Sequence, residues 1–543
     1  MEKVTVNVAG HGVYSLEKGE TLLGLSKTIP DLAKEPIVAS VNKELKDLCY
    51  QLKYDCEVEF LDTNDPNGFR AYQRSVSFLM IYAAKTVLGE KTRIVVAHSI
   101  NKNYYCEIPE LKEPITDELL EKIENVMREA VAKKLPFERH SLPLETAIKT
   151  SEALGFYDKV QLLKYRRVSS VNFYKLDWLF DYYYGQMAPD TGYLSTFKLV
   201  KRAGGFMLFF TGKVELVQQK RVAQVFVESS QWARILKVDT VGSLNDKISH
   251  DGSKEIVQLA EALHEKKIGY LADEVQQGGK TVVFIAGPSS SGKTTFASRL
   301  GVQLRVNGMR PHIISLDNYY IDREAIPLDE FGSPDFETIN AIDTNQIDTD
   351  LRNLLKGEAV ELPNYNFLTG KREYKGNILT IDKSDVLIIE GIHGLNERIG
   401  AYVPGEVKYK IFISALTQIN IDDHNRIPTS DTRLLRRITR DFQYRGQTAE
   451  RTIKMWPSVQ RGEGKYIFPY QEKADAFFNS ALVYEMCVLK QFAEPLLYGV
   501  SENNPERTEA KRLVKFLDSF LCISSEVVPR NSILREFIGG SWF

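Results

Sequence analysis

The chain has 543 residues, long enough for about three to five domains. Charged residues make up 26% and hydrophobic residues 43%, with a formal net charge of -2, so no global basic excess advertises nucleic-acid binding. Five cysteines (Cys49, Cys56, Cys106, Cys487 and Cys522), odd in number and without CxxC spacing, read as reduced, mostly buried thiols and not as a disulfide framework or zinc site.

The first residues, MEKVTVNVAG, lack an apolar signal core, and no run of about 18 apolar residues occurs. A cytoplasmic protein without a membrane span is expected. Residues 1–61 alternate short apolar runs with turn residues and predict a β-rich module with one helix near Thr21–Thr28. TNDPNG (63–68) reads as a turn or a boundary. Residues 69–92 have helical apolar spacing, and IVVAHSI and YYCEI read as strands about a turn. TDELLEKIENVMREAVAKK (116–134) predicts a helix capped by Thr116. Residues 246–279 read as a helical connector ending on a Gly pair, with His264 on a helix surface. From 280 the pattern becomes α/β. TVVFIA, PHIISLD, DVLIIEG (385–391) and KYKIFIS (408–414) are continuous apolar strands alternating with helices, which predicts a parallel sheet covered on both faces.

The stretch VVFIAGPSSSGKTTFASRL (282–300) carries the chemistry. Gly287–Thr294 matches G-x-x-x-x-G-K-[ST] between a strand and a helix. Such a loop wraps nucleotide phosphates with backbone N–H groups, aided by the helix N-terminus. Gly287, Pro288, Ser289, Ser290, Ser291, Gly292, Lys293, Thr294 and Thr295 are the expected binding residues for ATP or GTP. Lys293 would reach the β- and γ-phosphates, and Thr294 would hold Mg²⁺. Asp317, at the end of the second strand, could take a proton from an attacking hydroxyl. Its competing reading is a turn cap. Glu390, at the end of DVLIIE, suits Mg²⁺ directly or through water. Arg433, Arg436, Arg437 and Arg440 recur at helical spacing, with Arg445 beyond them. They form either a solvated face or a mobile lid that clamps phosphates. His393 follows the third strand and opens a helix, lining the site or packing beside it.

GPSSSGKTT, LDNYY, SPDFE, LPNYNF, DVLIIEGIHGL and DTRLLRRITRD, in this order over about 280–495, resemble the uridine kinase / phosphoribulokinase family of P-loop kinases. The resemblance implies that Asp317 is the general base for a sugar 5′-hydroxyl and that Glu390 serves Mg²⁺ and substrate. It implies that Arg433, Arg436 and Arg437 contact ATP and the transferring phosphate, with Tyr320 and Tyr365 bordering the nucleoside. Two positions depart from the pattern of uridine-cytidine kinases. Gly332 stands where an Asp would hold the ribose hydroxyls, and Gly370 where a His would meet the base. Asn366, Arg372 and Asp335 are the candidate replacements.

Residues 1–61 resemble a TGS domain, a ubiquitin-like β-grasp module. Residues 62–235 resemble the editing domain of threonyl-tRNA synthetase, chiefly through DYYYGQMAPDTGYLSTFKLVKRAGG (181–205). The synthetase's ligand positions hold Arg74, Phe78, Tyr183 and Met187, none of them a plausible zinc ligand, so a retained fold with lost editing chemistry and no zinc is expected. Lys198, Lys201 and Arg202 form a modest basic cluster among aromatics, suited equally to RNA or to a surface over an aromatic core.

The expected architecture is multidomain: a TGS-like β-grasp domain (1–61), a synthetase-editing-like α+β domain (62–235), a helical connector (236–279), an α/β P-loop kinase domain with a parallel sheet (280–495) and a C-terminal helical tail (496–543). The tail would pack back through Phe537, Trp542 and Phe543. The expected activity is ATP- and Mg²⁺-dependent nucleoside phosphorylation, with a front half that regulates or binds RNA. The alternatives are a kinase for another hydroxyl substrate, such as a sugar phosphate, and an RNA- or ribosome-associated ATP switch. Self-association into a homo-oligomer stays open.

Overall fold

The computed structural model describes residues 2–30, 32, 35–212, 214 and 220–543. Strands β1 (Lys3–Val8) and β2 (Gly12–Glu17) precede helix α1 (Leu22–Thr28). Thr21 starts that helix by accepting from the Gly24 N–H at 3.0 Å. With β3 (Val38–Val41), β4 (Glu44–Asp47) and β5 (Cys56–Leu61) they form one mixed sheet, ordered β2-β1-β5-β3-β4. Only β1 and β5 run parallel within it.

Helix α2 (Pro66–Leu88) starts on Asp65, which accepts from Asn67 N–H at 2.7 Å, with Pro66 in the first turn. Strands β6 (Val95–Ile100) and β7 (Asn103–Glu107) follow, then helix α3 (Asp117–Lys133), capped by Thr116 as its sequence predicts. Strand β8 (Glu138–Pro143), helices α4 (Leu144–Ala153) and α5 (Tyr157–Leu163), and strands β9 (Ser170–Leu176) and β10 (Leu179–Tyr182) come next. Strands β8, β9 and β10 form one antiparallel sheet, ordered β10-β9-β8, and strands β11 (Lys198–Arg202) and β12 (Gly205–Phe209) complete a second, ordered β11-β12-β7-β6.

Helices α6 (Lys220–Leu236), α7 (Val241–Ser249) and α8 (Ser253–Gln277) lead to strand β13 (Val282–Ala286), whose five residues are all buried. Helix α9 (Lys293–Val306) and strand β14 (Arg310–Ser315) follow, then helix α10 (Thr344–Leu355) and the hairpin of β15 (Val360–Asn366) and β16 (Lys371–Leu379). Strands β17 (Asp385–Glu390) and β18 (Lys408–Ser414), helices α11 (Thr429–Arg445) and α12 (Ala449–Tyr466), and strand β19 (Ala476–Asn479) complete an all-parallel sheet ordered β14-β17-β13-β18-β19. Helices α13 (Glu485–Tyr498), α14 (Arg507–Leu517) and α15 (Arg535–Ile538) end the chain. No helix among the described residues is long and apolar enough to cross a membrane.

One apolar core joins the two halves. Leu162 of α5 and Phe173 of β9 belong to the cluster that holds Val283 of β13 and Leu435 of α11. A buried ionic knot reinforces it. Lys159 Nζ lies 3.0 Å from Asp181 and 2.9 Å from Asp422, and Asp181 meets His424 Nδ1 at 2.7 Å. The loop between β18 and α11 is therefore pinned by the front half. Asn420 donates to the Val96 carbonyl at 3.0 Å, and Val96 N–H to the Asp423 carbonyl at 2.8 Å.

Four expectations change. His264 is fully buried, packing on Trp232 and Phe478 and hydrogen-bonded to the Ala481 carbonyl, because it lies on the face of α8 that α6 and β19 cover, while Ala262 and Lys266 take the open face. Residues 392–395 form a turn, so His393 does not open a helix. Trp542 and Phe543 are 69% and 49% exposed, and only Phe537 packs inward, because the chain turns out after Gly539. Of the cysteines, Cys106 and Cys487 are buried, while Cys49 and Cys522 are exposed.

Candidate active site at the ends of the parallel strands

The sheet register sets Ile285 of β13 and Ser315 of β14 beside Glu390 of β17. The three strand ends thus bring together the phosphate loop, Asp317 (in a short 3-10 turn at Leu316–Tyr319) and Glu390. This is where an open α/β sheet gathers its ligands. Ser290 and Gly292 adopt positive φ, 59° and 83°, which curls the loop so that successive N–H groups point inward. Gly287 is needed for close approach, since a Cβ there would fall 2.2 Å from the Ile413 carbonyl.

Thr294 Oγ1 donates to Glu390 at 3.3 Å, and Lys293 Nζ to the Pro288 carbonyl at 3.2 Å. Glu390 is buried, and burial with the nearby Asp317 charge raises it to about 7 against the pull of Lys293. The pairing of Thr294 with Glu390 fits a Mg²⁺ site. The loop also fits phosphate, because its donors already hold anionic oxygens. Ser289 N–H donates to Glu463 at 3.0 Å, and Thr295 donates to Glu536 through its N–H at 3.3 Å and its hydroxyl at 2.8 Å. The Ser290 and Ser291 hydroxyls are buried without a hydrogen-bond partner among the described residues.

Three arginines of α11, Arg433, Arg436 and Arg437, turn onto this loop and are buried. Arg433 binds Glu463 at 2.7 Å and the Ser289 carbonyl at 3.1 Å. Arg436, fully buried, binds Glu485 through Nε at 3.0 Å and the Ser290 carbonyl at 3.4 Å. Arg437 donates to the Ser289 hydroxyl at 2.9 Å, while Arg440 pairs with Asp441 at 2.8 Å. The stripe is not a solvated face.

An aromatic cluster lies near Asp317, whose charge acts on the Tyr320 hydroxyl. Tyr320 lies 5.5 Å from Tyr365, which lies 5.1 Å from Phe367, and Arg445 sits 5.4 Å from that last ring. The Tyr320 hydroxyl donates to the Phe336 carbonyl at 3.0 Å. Gly332 has φ 77° on an exposed loop with nothing within 4 Å, and Gly370 has φ 73° at the β15–β16 turn. Turn geometry explains both glycines. The three candidate replacements are engaged locally. Arg372 pairs with Asp343 at 2.9 Å, Asn366 accepts from Leu368 N–H at 3.1 Å, and Asp335 accepts from Glu337 N–H at 3.0 Å.

Sequence reasoning missed three carboxylates here. Glu337 closes the quoted SPDFE stretch, and burial plus the neighbouring Glu463 raises it to about 7. Glu463 and Glu536 gave no local signal, because their partners are 174 and 241 residues away in the chain. His393 is buried, which holds it near 4 and neutral, with Lys293 and Arg398 adding to the effect.

In the front half, the four synthetase-like positions do converge. Phe78 and Tyr183 pack 5.2 Å apart, Met187 accepts from the Ser75 hydroxyl at 3.5 Å, and Arg74 donates to the Gln186 carbonyl. Phe78, Tyr183 and Met187 are buried and fill the space with apolar bulk. Lys198 is paired with Glu124 at 3.2 Å, and Lys201 is exposed.

Residues 282–485 match the sequence profile of the phosphoribulokinase / uridine kinase family. The N-terminal half matches threonine–tRNA ligases. The chain is 32% identical to that of Carboxydothermus hydrogenoformans over 205 residues, 37% of this chain and 32% of the ligase. It is 32% identical to that of Methylococcus capsulatus over 188 residues, 34% of this chain and 29% of the ligase. It thus spans about a third of the length of these curated relatives. Among solved structures, a possible uridine kinase from Bacillus stearothermophilus aligns with 39% of this chain and 98% of its own at 18% identity, with a TM-score of 0.29. A D-glycerate 3-kinase from Cryptococcus neoformans aligns with 39% of this chain and 90% of its own at 14% identity, with a TM-score of 0.29.

Proposed function

We propose that the chain is an ATP- and Mg²⁺-dependent kinase that phosphorylates a small molecule with a primary hydroxyl, the 5′-hydroxyl of a nucleoside being the first candidate. The observation that carries this reading is the meeting of the phosphate loop, Asp317 and Glu390 at adjacent strand ends. A switch needs a nucleotide loop alone. An acid beside the loop, with the Tyr320 and Tyr365 rings nearby, suits an acceptor.

Bound ATP with Mg²⁺ supplies the phosphoryl group, held by Lys293, Thr294, Glu390 and the loop N–H groups. Asp317 would accept the proton of the acceptor hydroxyl as the new O–P bond forms and the bond from the γ-phosphorus to the β–γ bridging oxygen breaks, with ADP leaving. Arg433, Arg436 and Arg437 offset charge on the phosphates, a contribution worth roughly 10³–10⁵ in rate for a well-placed arginine. Tyr320 and Tyr365 flank the acceptor and exclude water from it.

The acceptor class stays wider than pyrimidine nucleosides, because the exposed Gly332 offers no group to the ribose hydroxyls. A sugar phosphate is the rival acceptor. For the front half, the likeness to threonine–tRNA ligases supports an RNA-facing or regulatory role without editing chemistry. Replacing Asp317 with Asn tests the base assignment. Turnover should fall by about 10²–10⁴ while ATP still binds. Near-normal turnover would remove Asp317 from that role.

A further inference from the structure

A cavity of about 390 Å³ lies where the first sheet, α2, the β18–α11 loop and α14 meet. That volume suits a nucleotide-sized molecule. It lies outside the site described above, and no residue of the phosphate loop lines it. Its wall is strongly cationic. Arg70 and Arg512 are spent on Glu509 and Asp431, at 2.8 and 2.7 Å. Arg74, Arg426, Arg507, Lys511 and Lys515 also line it, with no ion-pair partner among the described residues. Only Glu44 and Asp518 oppose them within the lining. Burial, with Arg139, Arg74 and Arg166 nearby, pushes Lys515 down to about 8, against a smaller upward pull from Asp47. Two aromatic faces lie beside the cations, Tyr104 under Arg426 at 5.2 Å and Tyr184 near Arg74 at 5.7 Å.

We propose that this cavity binds a phosphorylated small molecule of nucleotide size, and that Arg512 and Asp431 link it to α11. Asp431 sits in the first turn of that helix, two residues before Arg433, which grips the phosphate loop. Inorganic pyrophosphate is the probe. Calorimetric titration of the full chain should show uptake that weakens at least tenfold in the Lys511→Glu/Lys515→Glu variant and persists in Lys293→Ala. Lys515→Ala, which adds no opposite charge, should weaken uptake in the same direction and guards against misfolding of the double variant. Equal uptake by wild type and both lysine variants would overturn the proposal, as would loss in Lys293→Ala alone. Binding of a single-stranded oligonucleotide without pyrophosphate uptake would replace the small molecule with RNA.

A separate observation concerns the C-terminal segment. Ser532, Ile533, Leu534 and Phe537 are buried, with Ile533 against the phosphate loop at Gly292. A Cβ on Gly292 would fall 2.4 Å from Ile533. Glu536 takes both donors of Thr295, and the Arg436 guanidinium lies 4.9 Å over the Phe537 ring. A carboxylate on phosphate donors with an aromatic ring stacked on an arginine has the outline of a nucleotide.

We infer that residues 532–538 act as a plug that ATP must displace, an inference that rests on the kinase reading of this loop. A competent state populated at about 1–10% would weaken apparent affinity 10–100-fold. Glu536→Gln and Phe537→Ala should each tighten binding of a fluorescent ATP analogue, and together by at least tenfold. Unchanged affinity in both variants would overturn the plug. Absence of binding in wild type, both variants and a chain ending at residue 531 would instead overturn the nucleotide reading itself.

Discussion

Glu337 is a carboxylate kept among other carboxylates. Burial, then Glu463, raises it to about 7. A carboxyl whose folded value lies above its unfolded value of about 4.3 stabilises the fold fully below that value, and the contribution is lost as pH rises through about 7. The ligand-free protein should therefore lose melting temperature between pH 5 and 7.5, and Glu337→Gln should flatten the slope. A slope unchanged by that substitution would assign it to other groups. At this scale the sequence was informative wherever a residue belonged to a local pattern. Gly287, Lys293, Thr294 and Glu390 were legible because strand, turn and helix signals surround them. Glu463 and Glu536 were not, since only tertiary folding brings them to the loop. His264 was misread because helical spacing alone does not say which faces of a long helix will be covered.

Helix α11 shows how an element can be legible in type and not in environment. Its arginine spacing predicted one face, and that face exists. Its burial follows from α12, α13 and the loop closing over it, which no local pattern encodes. The arginines are consequently part of the core as well as the site. Arg436 neutralises the buried Glu485, and removing one partner of such a pair costs about 3–5 kcal/mol. Arg436→Met should lower the denaturation midpoint markedly. The Glu485→Gln/Arg436→Met pair should recover much of the loss, because no charge is then left unpaired. No recovery would mean that packing, not charge, sets the cost. Element types were otherwise well marked. Thr21, Thr116 and the buried strands β13, β17 and β18 lie where their sequences predict.

At the scale of the molecule, the linkage between halves was the least visible part of the sequence. Lys159, Asp181, Asp422 and His424 come from segments up to 265 residues apart, and each is unremarkable alone. Together they bury charge at the joint between the front half and the loop feeding α11. Lys159→Met would remove the buried ammonium that Asp181 and Asp422 share and should destabilise the chain by about 3–5 kcal/mol. Limited proteolysis should then cut the 415–428 loop faster than in wild type. An unaltered cleavage pattern would show that the apolar core alone holds the joint.

Phosphoryl transfer by the loop and Asp317 underlies every role assigned above. The most direct test is transfer of labelled γ-phosphate from ATP–Mg²⁺ to a panel of nucleosides and sugar phosphates, with Lys293→Ala as control. At least one acceptor should be phosphorylated, with transfer abolished in Lys293→Ala. No acceptor phosphorylated by a chain that demonstrably binds ATP would contradict it and favour a nucleotide-dependent switch.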